Sequence, residues 1–238
     1  MEQPTEEMAS PESHPLRPKG GMMSRSIPEG ALELPASRSG VGVVMIHAWW
    51  GLNSFFRRLC KRLAREGYIV FAPDLYHGIT ATSIEEAKRL RSQLKPKQAE
   101  QDLADAIETL RGQEAVAGEG LGVIGFSLGA YYGLGLSLDR PKDVRAVVVF
   151  YGTKGGDYTK AKAAYLGHFA ETDDWVAASG VKKLEKALRK AGRPVTFQAY
   201  AKTGHWFFES DRTDAYHAAA AKLAWRRTTD FLRETLGR

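Results

Sequence analysis

Apolar and polar positions follow two different periods along this chain, and the two periods take turns. Short, nearly continuous apolar runs at Val41 to His47, Tyr68 to Ala72, Leu121 to Gly125, Val144 to Tyr151 and Ala164 to Ala170 read as buried strands. Between them, apolar residues recur every three or four positions, as at Phe56, Leu59, Cys60 and Leu63 within Phe55 to Glu66, which predicts a helix packed by one face. Gly67 then supplies a helix C-cap. The same period predicts helices over Ile84 to Leu94 and Lys97 to Leu110, broken at Pro96, and over Leu128 to Leu138, Val181 to Ala191 and Asp214 to Leu236. Ala31 to Pro35 reads as a weak edge strand and Val195 to Tyr200 as the last strand. Strand and helix in alternation predict an α/β fold: a mostly parallel, doubly wound sheet with helices on both faces.

The first 25 residues break this pattern. They are rich in Pro, Glu and Ser and carry no hydrophobic period, so residues 1–25 read as a disordered tail ahead of one α/β domain over 26–238. A chain of 238 residues that is 43% hydrophobic can bury one large core. The net charge of +6 raises nucleic acid as a partner, but Lys and Arg mingle with Asp and Glu on helices such as Arg57 to Arg65. That mixture reads as solvated helix faces and argues against a nucleic-acid partner. No apolar run reaches the roughly 20 residues that cross a bilayer, and the N-terminus has no apolar signal core. The expectation is a cytoplasmic protein that does not bind membranes. Cys60, the single cysteine, sits among apolar helix positions and reads as a core thiol.

Chemistry enters at Gly125-Phe126-Ser127-Leu128-Gly129, where a strand runs straight into a helix. As a bare string this pattern recurs by chance; between a strand and a helix it is a nucleophile elbow, a sharp turn that lifts a serine hydroxyl out of the backbone. A serine hydroxyl is a weak nucleophile and needs a base within reach. Among six histidines, His205 follows the last strand in Lys202-Thr203-Gly204-His205-Trp206, at the edge where open sheets place their sites. His14 lies in the tail and His217 within the last predicted helix. His47 and His77 follow strands; they read first as hydrogen-bonded structural imidazoles and second as pocket walls. An orienting acid should follow the Ala164 strand, where Asp173 and Asp174 stand side by side. Neighbouring side chains on extended backbone point opposite ways, so one would face the imidazole and the other would cap the next helix.

With these pieces in order, the chain resembles the dienelactone hydrolase family of α/β hydrolases from about Ala31 to Leu236. The resemblance is carried by Trp50-Gly51-Leu52-Asn53, Gly67-Tyr68, Ala72-Pro73-Asp74-Leu75-Tyr76, the elbow, Gly167-His168-Phe169, Asp173-Asp174-Trp175-Val176, Gly204-His205 and Arg226, Thr228, Phe231 and Leu232. It implies the α/β-hydrolase fold and aligns Asp173 with the triad acid. The departures are informative. Ser127 stands where the best-known members use cysteine, Ala48 where they keep a glutamate, and Gly78 and Glu209 where two arginines hold the substrate's carboxylate.

The resemblance and its departures together imply a serine carboxylesterase acting on neutral esters or lactones, with Ser127 as nucleophile, His205 as base and Asp173 as its orienting acid. Backbone N–H groups of Leu128 and Trp49 would receive the oxyanion. Trp50, Tyr76, His77, Tyr131, Trp175, Trp206 and Phe207 would form an apolar pocket. Such chemistry calls for no metal and no organic cofactor. Two alternatives stay open: a lactone hydrolase whose substrate carboxylate is held by other basic residues, and a non-catalytic binding protein on the same fold. The sequence leaves open whether the chain is a monomer or a dimer.

Overall fold

The computed structural model describes residues 28–237. The predicted tail, with His14, therefore lies outside the described residues. From Pro28 onward the elements run β1 (Gly30–Glu33), β2 (Gly40–Ile46), α1 (Ser54–Arg65), β3 (Ile69–Pro73), α2 (Ile84–Gln93), α3 (Pro96–Arg111), β4 (Val116–Phe126), α4 (Leu128–Asp139), β5 (Val144–Phe150), β6 (Ala164–Ala170), α5 (Ala178–Lys190), β7 (Val195–Tyr200) and α6 (Ala218–Leu236).

The strands form one seven-stranded sheet in the order β1-β3-β2-β4-β5-β6-β7. Only β1 runs antiparallel to its neighbour. Helices cover both faces, as the alternating periods predict, because parallel strands must be joined by crossovers and the helices have apolar faces to bury. Phe56, Cys60 and Leu63 of α1 pack with Trp225 and Leu232 of α6 on one face. Leu103 and Leu110 of α3, Leu134 of α4, and Leu184 and Leu188 of α5 fill the other. At the start of α1 the Asn53 side chain accepts from the N–H groups of Phe55 and Phe56 at 3.0 and 3.2 Å, satisfying two of the donors that open every helix.

Two boundaries differ from the sequence reading by four residues or more. The strand before the elbow starts at Val116, not Leu121, since the glycine-rich stretch at 117–120 that looks like a loop begins as a strand paired with β2 at Gly40 and Val41. The last helix starts at Ala218, not Asp214, because residues 212–216 close a separate turn, with the Tyr216 N–H donating to the Arg212 carbonyl at 2.8 Å. His217 is thus the helix N-cap, its Nδ1 accepting from the Ala220 N–H at 3.2 Å. Among the described residues no helix is long and apolar enough to cross a membrane.

His168 of β6 ties the sheet to α6, with Nδ1 at 2.8 Å from the Tyr200 hydroxyl at the end of β7 and Nε2 at 2.9 Å from Thr228 Oγ1 of α6. Burial, with help from the nearby Arg227 charge, pushes its pKa down to about 3. The unfolded chain takes up that proton once the pH falls below about 6.5, but the folded chain does not until about 3, so stability declines as pH drops through that window. The decline should reach about 3 kcal/mol by about pH 4. His168→Gln should therefore show a shallower loss of urea stability between about pH 7 and pH 4 than the unsubstituted protein, and parallel slopes would contradict this account.

Candidate active site

β2 is flanked by β3 on one side and β4 on the other, so the connections leaving the carboxyl ends of β2 and β4 part in opposite directions. The crevice that opens there is the switch point at which doubly wound sheets bind ligands. Ser127 stands in it, between β4 and α4, with φ at +50° and ψ at −107°. A non-glycine residue in this region is strained by about 1–3 kcal/mol and stays only where its surroundings hold it. The motif's glycines make the turn possible. A Cβ at position 125 would fall 2.3 Å from the Gly129 carbonyl oxygen, and one at 129 would fall 2.3 Å from that of Ile46. The Ser127 N–H donates to the Phe150 carbonyl at 2.9 Å, pinning the elbow to β5.

His205 reaches Ser127 from the loop after β7. Its Nε2 lies 3.0 Å from Ser127 Oγ, while Nδ1 lies 2.8 and 3.0 Å from Asp173 Oδ2 and Oδ1. A carboxylate can only accept, so Nδ1 carries the proton and Nε2 presents its lone pair to the serine hydroxyl. Asp173 is itself fixed, its Oδ1 accepting from the N–H groups of Trp175 at 2.8 Å and Val176 at 2.9 Å. The imidazole and the carboxylate are both nearly buried, at 4% and 8% exposure, whereas Ser127 remains partly open. Asp174 is exposed and makes no contact with the histidine. Nor does it cap α5, which begins behind Ala177 without any side-chain cap; one aspartate serves both the imidazole and the loop turn.

A cavity of about 560 Å³ opens over Ser127 and His205. Trp49, Leu128, Tyr131 and Trp175 line it, together with Tyr132 and Thr153. The other five predicted wall residues do not reach it. Trp50 and Phe207 are sealed in the core, and Trp206 packs behind the wall against Trp49, Trp50 and Trp175. Tyr76 and His77 line a neighbouring hollow that shares only Leu94 with the cavity. His77 faces Glu29 and Asp102 there, at 3.5 and 3.6 Å. Loop side chains follow no period, so an aromatic near the site in sequence can turn inward as readily as toward a ligand. His47 is buried and structural: Nε2 accepts from the Leu75 N–H at 3.1 Å and Nδ1 donates to the Ala48 carbonyl at 2.6 Å.

Three positions singled out by the resemblance are now placed. Ala48 is buried, and Gly78 has open space where a side chain would be. Glu209 does not face the cavity. It is fully buried behind Tyr151, whose hydroxyl donates to its Oε1 at 2.7 Å, and burial pushes its pKa up to about 8. Glu209, though it stands where the resemblance places a carboxylate-binding arginine, therefore puts no negative charge into the cavity.

Two charged cavity residues escape sequence reasoning altogether. Arg91, in the last turn of α2, and Lys183, on α5, line the cavity from the α2 and α5 sides, and neither is held in an ion pair among the described residues. No Asp or Glu lines this cavity among the described residues. Each cation sits on an exposed helix position and looks solvated; only the tertiary placement of α2 and α5 over the sheet's carboxyl edge brings them to the site.

The dienelactone hydrolase family model matches residues 29–236. "Protein usf" of Aquifex pyrophilus is 32% identical over 209 residues, covering 83% of this chain and 89% of that protein. A protein of Aquifex aeolicus (strain VF5) named "Putative carboxymethylenebutenolidase" is 27% identical over 207 residues, covering 83% of this chain and 90% of its own length. Among solved structures, a dienelactone hydrolase-like promiscuous phosphotriesterase from metagenomic libraries superposes with a TM-score of 0.77 at 20% identity, covering 87% of this chain and 92% of that one, which shows the α/β-hydrolase fold. With its family model matched from one end of the described fold to the other, the chain belongs to the dienelactone hydrolase family.

Proposed function

We propose that this protein is a serine carboxylesterase that hydrolyses small carboxylic esters or lactones through an acyl-enzyme. The observation that carries the reading is the chain of contacts from Ser127 Oγ through His205 to Asp173, at 3.0 and 2.8 Å, beneath an open cavity. In this reading His205 Nε2 takes the Ser127 proton as the hydroxyl attacks the carbonyl, and Asp173 stabilises the imidazolium. The N–H of Leu128 opens α4 and has no carbonyl a turn earlier to receive it, so it is available to a developing oxyanion; the Trp49 N–H is the second donor. Such donors are each worth about 3–4 kcal/mol in related acyl transfer. His205 then returns the proton to the leaving alkoxide, and a water deprotonated by the same imidazole cleaves the acyl-serine.

The test is direct. Incubation with a fluorophosphonate should add one adduct, mapped to Ser127 by peptide mass spectrometry, and abolish turnover of p-nitrophenyl acetate in parallel. An intact protein under these conditions, or an adduct elsewhere with turnover lost, would refute the esterase reading.

A second reading, hydrolysis of a lactone or ester bearing a free carboxylate, is favoured by one observation: Arg91 and Lys183 are the charged residues lining the cavity. The neutral-substrate reading expects p-nitrophenyl butyrate to be cleaved at least as well as its ω-carboxylated counterpart, with Arg91→Met changing kcat/KM for either by less than about twofold. An advantage of about tenfold for the charged ester, about 1.4 kcal/mol, that disappears in Arg91→Met would establish the second reading instead.

A further inference from the structure

Glu209 takes no part in the chemistry above, yet it reaches the catalytic histidine through a single side chain. Its Oε1 accepts the Tyr151 hydroxyl hydrogen bond at 2.7 Å, and the Tyr151 ring lies 4.7 Å from the His205 ring, centroid to centroid, inclined at 56°. Tyr151 also follows Phe150, whose carbonyl receives the Ser127 N–H, and its own N–H donates to the His168 carbonyl at 2.8 Å. With φ at +39°, Tyr151 is held in the left-handed region. A bulky residue stays there only when its contacts over-determine it, and such sites cluster where geometry matters to function.

Resting on the reading of His205 as base, we propose that Glu209 and Tyr151 form a positioning pair that presses the tyrosine ring onto the imidazole and keeps Nε2 aimed at Ser127. Asp173 holds one edge of the histidine, Trp206 meets it at 84° and Trp175 stands 6.5 Å away; Tyr151, at 4.7 Å, is the nearest of the three rings. Support of this kind limits rotation about the bond to the ring, and misplacement of a reacting group by even about 1 Å can cost on the order of 100-fold in rate. The electron-rich tyrosine ring also favours the imidazolium formed during attack.

Glu209 is faced by Tyr151 from the end of β5, by Trp50 from the loop after β2, and by Asp211 and Arg212 from its own loop. The Arg212 guanidinium lies 4.1 Å over the Trp50 ring. Burial favours the proton on Glu209 until about pH 8. Above that, a negative charge behind Tyr151 strengthens the hydrogen bond from its hydroxyl and favours the imidazolium, so kcat should rise as pH passes through that value.

The experiment measures kcat and KM for p-nitrophenyl acetate across about pH 6–10, with thermal melting of each variant. Tyr151→Phe and Glu209→Leu should each lower kcat roughly 10- to 100-fold with KM within about twofold, and the double variant should be no worse than the poorer single. Glu209→Gln keeps an acceptor oxygen, so it should retain kcat within about threefold at neutral pH while losing the inflection near pH 8. That variant carries the test alone if the others fail to fold. Folded Tyr151→Phe or Glu209→Leu proteins with unchanged kcat, multiplying effects in the double variant, or an inflection that survives Glu209→Gln would each overturn the pairing. In all of these the unsubstituted protein stays active through Ser127; absence of that activity would instead refute the esterase reading on which the pairing rests.

Discussion

Ser127→Ala should lower kcat for p-nitrophenyl ester hydrolysis by about 10⁵- to 10⁶-fold while leaving KM within about threefold. Oγ is the atom that forms the acyl bond in the proposed mechanism, and among the described residues no other hydroxyl is hydrogen-bonded to the His205 imidazole to replace it. The cavity walls are untouched, and so are the Leu128 and Trp49 amides, so binding survives and a residual acceleration over water of about 10³–10⁴ remains. A continuous assay at saturating ester, with circular dichroism to show the fold intact, is sufficient. Turnover above about 1% of the starting rate in a folded Ser127→Ala protein would exclude the serine as nucleophile. Alanine inherits the same positive φ as the serine, so thermal stability should change little.

Asp173→Asn should cost about 10⁴-fold in kcat, whereas Asp174→Asn should cost less than about twofold. The size of the first effect comes from one proton. An asparagine at 173 can keep its oxygen on the Trp175 and Val176 amides, which leaves its NH₂ group toward His205 Nδ1. The imidazole then carries its proton on Nε2 and has no lone pair for the serine hydroxyl. Asp174 is exposed and does not touch the histidine, so the same change there alters only surface charge. The pair of variants, compared in kcat at one pH, separates the two adjacent aspartates. Equal losses, or a loss confined to Asp174→Asn, would overturn the assignment.

Much of the fold was legible because it rests on periodicity. Runs such as Val144 to Phe150 are apolar on both faces since both faces are covered, and the stripe Phe56, Leu59, Cys60 and Leu63 has one face to bury. The elbow was legible because its glycines are required by backbone crowding, which depends on local chain geometry alone. Choosing between Asp173 and Asp174 required the resemblance, since the turn that aims one of them is made by that aspartate's own hydrogen bonds to Trp175 and Val176. The pocket was the least legible part. Whether Trp50 or Trp49 faces the cavity depends on how three loops stack, and Arg91 and Lys183 arrive from helices far apart in sequence whose exposed faces look alike in every direction. The start of β4 was missed for a related reason: Gly118 and Gly120 weaken a strand signal that pairing with β2 restores.

The order of the strands divides this site into parts of unequal firmness. Ser127 hangs from β4, which is flanked on both sides by strands buried at all but one position each, whereas His205 and Asp173 hang from the loops after β7 and β6, with β7 at the half-exposed margin of the sheet. Amides at the centre open only with the whole domain; those at a margin open on their own and far more often. By that rule the nucleophile belongs to the firmest part of the sheet, whereas its base hangs from a strand at the margin. Local opening at that margin would part His205 from Ser127 and stop hydrolysis while the core strands stay paired.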